Sequence, residues 1–227
     1  MGKFIAIDGV DASGKQTHTE LLEKYFTEKG VKVRRLSFPM YTSESSALVK
    51  MYLGGQFGNN ADDVDAYCAS TFYAADRFAT YKSDWHADYA DENTLIIADR
   101  YVSSNMIHQA SKIDDTAEKD KFLDWLSDFE YGLYKIPQPD VTIFLDMPPE
   151  YGRKLMENRN NKITDEKALD IHESDANHLN KSYNNAKYVA DKFSWNTVSC
   201  VKNGEIRSIE DIQDEVRKIC ESVIKSL

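Results

Sequence analysis

Seven consecutive residues, Gly9-Val10-Asp11-Ala12-Ser13-Gly14-Lys15, combine the side chains and backbone freedom that hold phosphates. Glycines let the backbone curl so that successive N–H groups face inward, and a helix starting directly afterwards adds the partial positive charge of its N-terminus. Lys15 can then reach the β and γ oxygens of a bound nucleotide. Gly9, Asp11, Ala12, Ser13, Gly14, Lys15, Gln16 and Thr17 are therefore read as the nucleotide-holding run. The position after the lysine, where a Ser or Thr hydroxyl normally meets Mg²⁺, holds Gln16, with Thr17 next. Either residue, or a water, is left to approach the metal.

A second group is Asp99-Arg100-Tyr101, at the end of an apolar run. In an open parallel sheet ligands bind beyond the carboxyl ends of the strands, so Asp99 and Arg100 are expected to face the crevice of the phosphate loop. Asp99 could hold hydrated Mg²⁺, and Arg100 could grip a phosphate with two parallel N–H bonds. Phosphoryl transfer needs positioned cations more than covalent chemistry. An anionic acceptor in particular needs cations to bring two polyanions together. Arg77, Arg100 and Arg159 are the cations beyond the loop, and they favour an acceptor that is itself a phosphate. The polar segment 150–165 suits a mobile lid that closes over the donor and excludes water, with Arg159 as its cation.

These residues need a frame. Phe4 to Ile7, Val31 to Phe38, Leu95 to Ala98, Val141 to Leu145 and Thr197 to Val201 read as short strands between long helical patterns. Such alternation predicts an α/β fold, a five-stranded parallel sheet flanked by helices. Ile209, Ile212, Val216, Ile219 and Val223 recur at helical spacing and predict a packing helix. Residues 62–85, with Tyr67, Phe72, Tyr73, Tyr81 and Trp85, read as an aromatic helix laid on the sheet, while 150–178 read by composition as a solvated helix pair. Gly54-Gly55 and Gly58-Asn59-Asn60 mark loops, and no linker-like stretch divides the 227 residues, so one domain is expected.

Composition narrows the partners. With 28 Lys and Arg against 38 Asp and Glu, the net charge of −10 repels nucleic acid and anionic membranes. The first apolar run stops at Asp8, too short for a secretory core or a membrane span. Cys68, Cys200 and Cys220 have no metal-ligand spacing and read as buried thiols in a reducing compartment, so a cytoplasmic protein is expected.

In order and spacing the motifs resemble the thymidylate kinase family. They are residues 9–15, Ser37-Phe38-Pro39, Tyr52-Leu53-x-Gly, Phe72-Tyr73-Ala74-Ala75-Asp76-Arg77, Asp99-Arg100-Tyr101-x-x-Ser104, and Phe144-Leu145-Asp146 leading to Pro149-Glu150. The resemblance implies a P-loop kinase fold, ATP and dTMP as substrates, Mg²⁺, and a homodimer. It implies that Asp11 contacts the deoxyribose 3′-hydroxyl, that Phe38 lies on the dTMP side and that Tyr73 stacks on thymine. Arg77 would address the base edge as a ligand contact outside the core, Arg100 the acceptor phosphate, and Ser104 and Gln109 the base. Relatives often carry an arginine after the Phe-Pro pair, whereas this chain has Met40 and Tyr41. His172, where relatives often place a tyrosine, reads as an exposed helix residue. A deoxynucleoside kinase, or a nucleotide-binding regulator without efficient transfer, is the alternative.

Overall fold

The computed structural model describes the backbone of residues 1–160 and 176–224, and their side chains apart from those of residues 61, 156–160 and 176–178. Strands β1 (Lys3–Asp8), β2 (Lys32–Ser37), β3 (Thr94–Asp99), β4 (Val141–Asp146) and β5 (Asn196–Ser199) form one sheet in the order β2-β3-β1-β4-β5. All four pairings are parallel. β1 and β3 lie in the middle with helices on both faces, so their side chains have no solvent side and the sequence runs apolar without alternation. β2 is an edge, and it carries the charges of Lys32, Arg34 and Arg35.

Each face of the sheet has its own core. On one side Ile5, Ile7, Leu95, Ile97, Ile143 and Leu145 pack against Leu22 and Phe26 of α1 (Lys15–Glu28) and against Ile212, Val216 and Cys220 of α9 (Ile209–Ile224). On the other, Phe4, Ile96 and Ala98 pack against Trp85, Tyr101, Val102, Met106, Phe122 and Leu126. Burying each such large apolar side chain is worth about 1.5–3 kcal/mol, which makes these two layers the main stabilising term. After the short α2 (Ala47–Leu53), the second layer is built by α3 (Ala66–Thr80), which runs through a π turn at Tyr81–Trp85 into α4 (His86–Ala90), by α5 (Val102–His108), and by α6 (Thr116–Ser127), which runs into a π turn at Asp128–Leu133.

Helix α8 (Ala176–Lys192) fixes α5 from outside: Asn185 Nδ2 donates to Met106 O (2.8 Å) and Ile107 O (2.7 Å), two carbonyls near the end of α5. Residues 201–206 add a short antiparallel hairpin beyond the five strands. Of the three thiols, Cys200 and Cys220 are buried, but Cys68 is exposed, because its position on α3 turns away from the sheet. Among the described residues no helix is long and apolar enough to cross a membrane. Helix α7 (Pro149–Asn160) takes in the first part of the expected lid at 150–165, while residues 161–165, the Arg159 side chain and, beyond the lid, His172 lie outside the described residues.

Candidate active site

Strand β1 delivers the chain to the top of the sheet, and the backbone turns at once. Gly9 has no room for a side chain, since a Cβ there would sit 2.7 Å from Ser13 Oγ and 2.8 Å from Leu145 O. Ala12 (φ 59°) and Gly14 (φ 89°) take the left-handed region, which curls the loop. No side chain caps the first turn of α1, so its leading N–H groups are left to an anion. Lys15 is 6% exposed, and its Nζ donates to Gly9 O (3.0 Å) and Val10 O (2.8 Å). Burial pulls its pKa down to about 8, helped by the Arg100 charge and opposed by the carboxylates around it.

Asp8 anchors this loop to the rest of the site. Its carboxylate accepts from the Gly9 N–H (2.8 Å), from Ser103 Oγ (2.8 Å) and from Ser104 Oγ (2.8 and 3.0 Å). Neither Asp8 nor Ser103 was singled out in the sequence. An acid ending a strand beside two serines on a helix is the pattern that would have found them.

At the end of the neighbouring β3, Arg100 adopts φ 65°, a strained value for a residue with a side chain, and its N–H is held by Ile7 O (3.0 Å). The turn aims the guanidinium at the phosphate loop. Nη2 bonds Asp11 Oδ1, and Nη1 lies 3.3 Å from His108 Nε2. Desolvation works against both charges of the pair. Even so, Asp11 is held well below the carboxylate range by Arg100 and Lys15, and Arg100 is raised by Asp11, Asp8 and Asp99. Asp99 is 8% exposed, and its Oδ1 is buried without a hydrogen-bond partner. Burial pushes its pKa up, against the pull of Lys15 and Arg100. Gln16, in contrast, is turned outward, Nε2 donating to Glu20 Oε1 (3.0 Å) on the next turn of α1.

Beside the loop lies a cavity of about 590 Å³, counting its open mouth. All seven residues expected on the dTMP side, Asp11, Phe38, Tyr73, Arg77, Arg100, Ser104 and Gln109, line it, together with Pro39, Tyr41, Leu53, Tyr101, Asn105 and His108. Asn105 and His108 were not anticipated, although their spacing from Ser104 and Gln109 puts them on α5 within reach of the same space. Phe38 packs on Tyr101 (ring centroids 5.6 Å) and Tyr73 stands edge-on to Tyr52 (6.4 Å), so aromatic walls are set by neighbours. Gln109 is 1% exposed, and its Oε1 has no partner.

Arg77 departs from expectation. It lines the cavity, yet it is 2% exposed and bound bidentately to the fully buried Glu130, Nε to Oε2 and Nη2 to Oε1, both 2.6 Å. It is thus a core residue as well as a candidate ligand contact. Burial works against its charge, and Glu130 more than offsets this, leaving the pKa above the ordinary arginine value.

Gly152 of α7 lies close to the loop, where a Cβ would come 3.2 Å from Asp11 O, and Arg153 on the next residue is exposed beside it. Lys15, Asp99, Arg100 and Asp11 thus converge on the ends of β1 and β3, and one cavity continues from them.

Comparison with known proteins gives one family. The family model described as thymidylate kinase matches residues 7–199. A thymidylate kinase of Caldicellulosiruptor saccharolyticus is 29% identical over 226 residues, covering 99% of this chain and 98% of its own. One from Mycobacterium tuberculosis is 30% identical over 174 residues, covering 76% of this chain and 78% of its own. The solved thymidylate kinase of Candida albicans superposes with a TM-score of 0.69 at 19% identity, over 97% of this chain and 92% of that one, a likeness of fold. The deoxynucleoside kinase and regulator alternatives are not favoured by these matches.

Proposed function

This chain belongs to the thymidylate kinase family and is a kinase that phosphorylates dTMP to dTDP at the expense of ATP, and we infer from its geometry how the residues divide that work. The phosphate loop takes the ATP phosphates: the amides from Gly9 to Thr17 cradle them, and Lys15 turns from the loop carbonyls toward the transferring group. Arg100 holds the dTMP phosphate while paired to Asp11, so the acceptor oxygen is steadied next to the donor. Asp11, at the wall of the same cavity, takes the 3′-hydroxyl of the acceptor sugar. Phe38 and Tyr73 supply faces for the pyrimidine, and Ser104, whose hydroxyl also serves Asp8, is at the cavity wall.

The observation that carries this reading is that Arg77, a donor, and Gln109, whose Oε1 is an acceptor without a partner, line the same cavity as Arg100. A thymine edge presents a carbonyl and an N–H, matching both. An ADP-coupled assay across dTMP, dUMP, UMP, CMP and dGMP tests it: dTMP should turn over best, and preference for a purine or cytidine acceptor would sink it.

Mg²⁺ fits the residues present. Asp99 Oδ1 is a buried oxygen lacking a partner, and among the described residues no cluster of three or more His, Cys, Asp or Glu makes an all-protein cage. That is the donor set of an ion held by one carboxylate, waters and substrate phosphates. Such an ion neutralises charge on the phosphates. Of the two residues after Lys15, Gln16 spends its side chain outward on Glu20, so the expectation that it approaches the metal gives way to Thr17, on the same first turn of α1. Helix α7, seated on the loop at Gly152, begins the lid, with Arg159 as its cation. A homodimer in the cytoplasm completes the reading; light scattering on the purified protein tests the dimer.

A further inference from the structure

The Arg77–Glu130 pair joins α3 to the π turn that follows α6, across 53 residues of sequence. A π turn inserts one extra residue into a helix and re-aims its side chains, which here puts Glu130 in the interior at 0% exposure. Both carboxylate oxygens are spent on one edge of the guanidinium, and Nη1 donates to Tyr101 O (3.3 Å). Three contacts on a planar group leave it no rotation. A buried ion pair gives little net stability over an apolar pair of similar volume, so orientation is what this arrangement supplies. The remaining N–H groups of Arg77 have no partner among the described residues, and Arg77 lines the cavity.

We propose that Glu130 is a positioning residue that sets the base selectivity of the acceptor site by locking the plane of Arg77. The inference rests on the acceptor reading above. With Arg77 locked, the cavity holds a fixed donor in Arg77 and, in Gln109 Oε1, an acceptor without a partner. A pyrimidine with a carbonyl and an N–H satisfies both, whereas the amine and bare ring nitrogen of cytosine place donor against donor and acceptor against acceptor. With Arg77 free to turn, that contrast weakens, because a guanidinium that can swing aside no longer opposes the amine.

The test uses the full chain carrying Glu130→Gln, assayed with dTMP and with dCMP at saturating ATP. The KM for dTMP should rise about tenfold with kcat within about threefold, and the dTMP-over-dCMP preference in kcat/KM should fall about tenfold, while the KM for ATP stays put. Glu130→Asp, which keeps the charge on a shorter stem, should recover part of the preference. A Glu130→Gln protein with a lower Tm but wild-type KM for dTMP and wild-type preference overturns the proposal, since a structural prop would behave that way. Where Glu130→Gln does not fold, Glu130→Asp decides: preference below wild type supports the role, and preference equal to wild type overturns it. A wild-type protein that does not favour dTMP over dCMP overturns the acceptor reading, and this proposal with it, before any variant is compared.

Discussion

Arg100 and Asp11, 89 residues apart, meet as an ion pair where the phosphate loop borders the acceptor cavity. The contact fuses the two half-sites, because one guanidinium reaches the loop through Nη2 and the α5 helix through Nη1, toward His108. Its geometry is imposed by the backbone of Arg100 at φ 65°, which the bond from its N–H to Ile7 O holds in place.

Arg100→Lys therefore keeps the charge and loses the fork. A single ammonium cannot serve Asp11 and a phosphate together, so kcat/KM for dTMP should fall by about a hundredfold or more while the KM for ATP changes little. Steady-state kinetics with each substrate varied in turn decide it; equal losses on both sides would separate Arg100 from the acceptor.

The same pair predicts an acid limb of stability. Asp11 has a folded pKa below its ordinary 3.8, so its carboxylate contributes stability that is present above that value and lost as pH falls through the folded pKa. Wild type should lose Tm more steeply than Asp11→Asn below about pH 4. Parallel melting curves across that range would count against the pairing.

Lys15→Met should remove turnover by about a thousandfold or more, since a cation at the transferring group is lost. The intact protein carries a pH signature too. Burial brings Lys15 to about 8, so the ammonium that ATP needs is neutralised as pH rises through that value. The kcat/KM for ATP should decline above pH 8, whereas kcat at saturating ATP should decline at higher pH, because bound phosphates favour the charged form. A pH-rate profile in which both parameters break together would refute this.

Arg77→Ala, on sequence grounds alone, would cost affinity for dTMP and nothing else. The buried pair changes that expectation. Removing the guanidinium leaves the Glu130 carboxylate at 0% exposure without its partner, and breaking such a pair costs about 3–5 kcal/mol. The variant should melt well below wild type, and the double variant Arg77→Met/Glu130→Leu should regain much of the stability while still failing to discriminate among pyrimidines. Calorimetry of the three proteins checks the first point and the acceptor panel the second.

What the sequence disclosed and concealed follows from where each residue's partners lie. β1 and β3 were legible because strands covered on both faces must be apolar throughout, and the loop after β1 because its glycines answer to backbone geometry within a few residues. Their carboxyl ends lead into the site, which brings Arg100 onto Asp11 of the loop and Asp99 within the field of Lys15. Glu130 stayed hidden: it sits in an acidic, surface-like stretch after Asp124 and Asp128, and a π turn leaves no periodic trace. Arg77 was half legible, its role as a cavity residue local to α3 and its burial decided by a partner on another element. His108 was recoverable by projecting α5 from Ser104, one helical turn away.

Asp99→Asn sets function against stability. In the folded chain Asp99 Oδ1 is buried without a partner, and desolvation raises its pKa above the ordinary 3.8. An acid raised in this way lends the fold stability that is full below its unfolded pKa and disappears as pH climbs through the folded one, so at neutral pH the ionised group is a net burden. The neutral amide should raise Tm at pH 7, by a margin that shrinks toward pH 4, while kcat drops about a hundredfold and the Mg²⁺ concentration needed for half-maximal rate rises. Thermal melts at the two pH values and an Mg²⁺ titration of the rate give both readings from one preparation. A variant that melts earlier than wild type at pH 7 would mean that the carboxylate is structural; one that turns over normally would free the metal from Asp99.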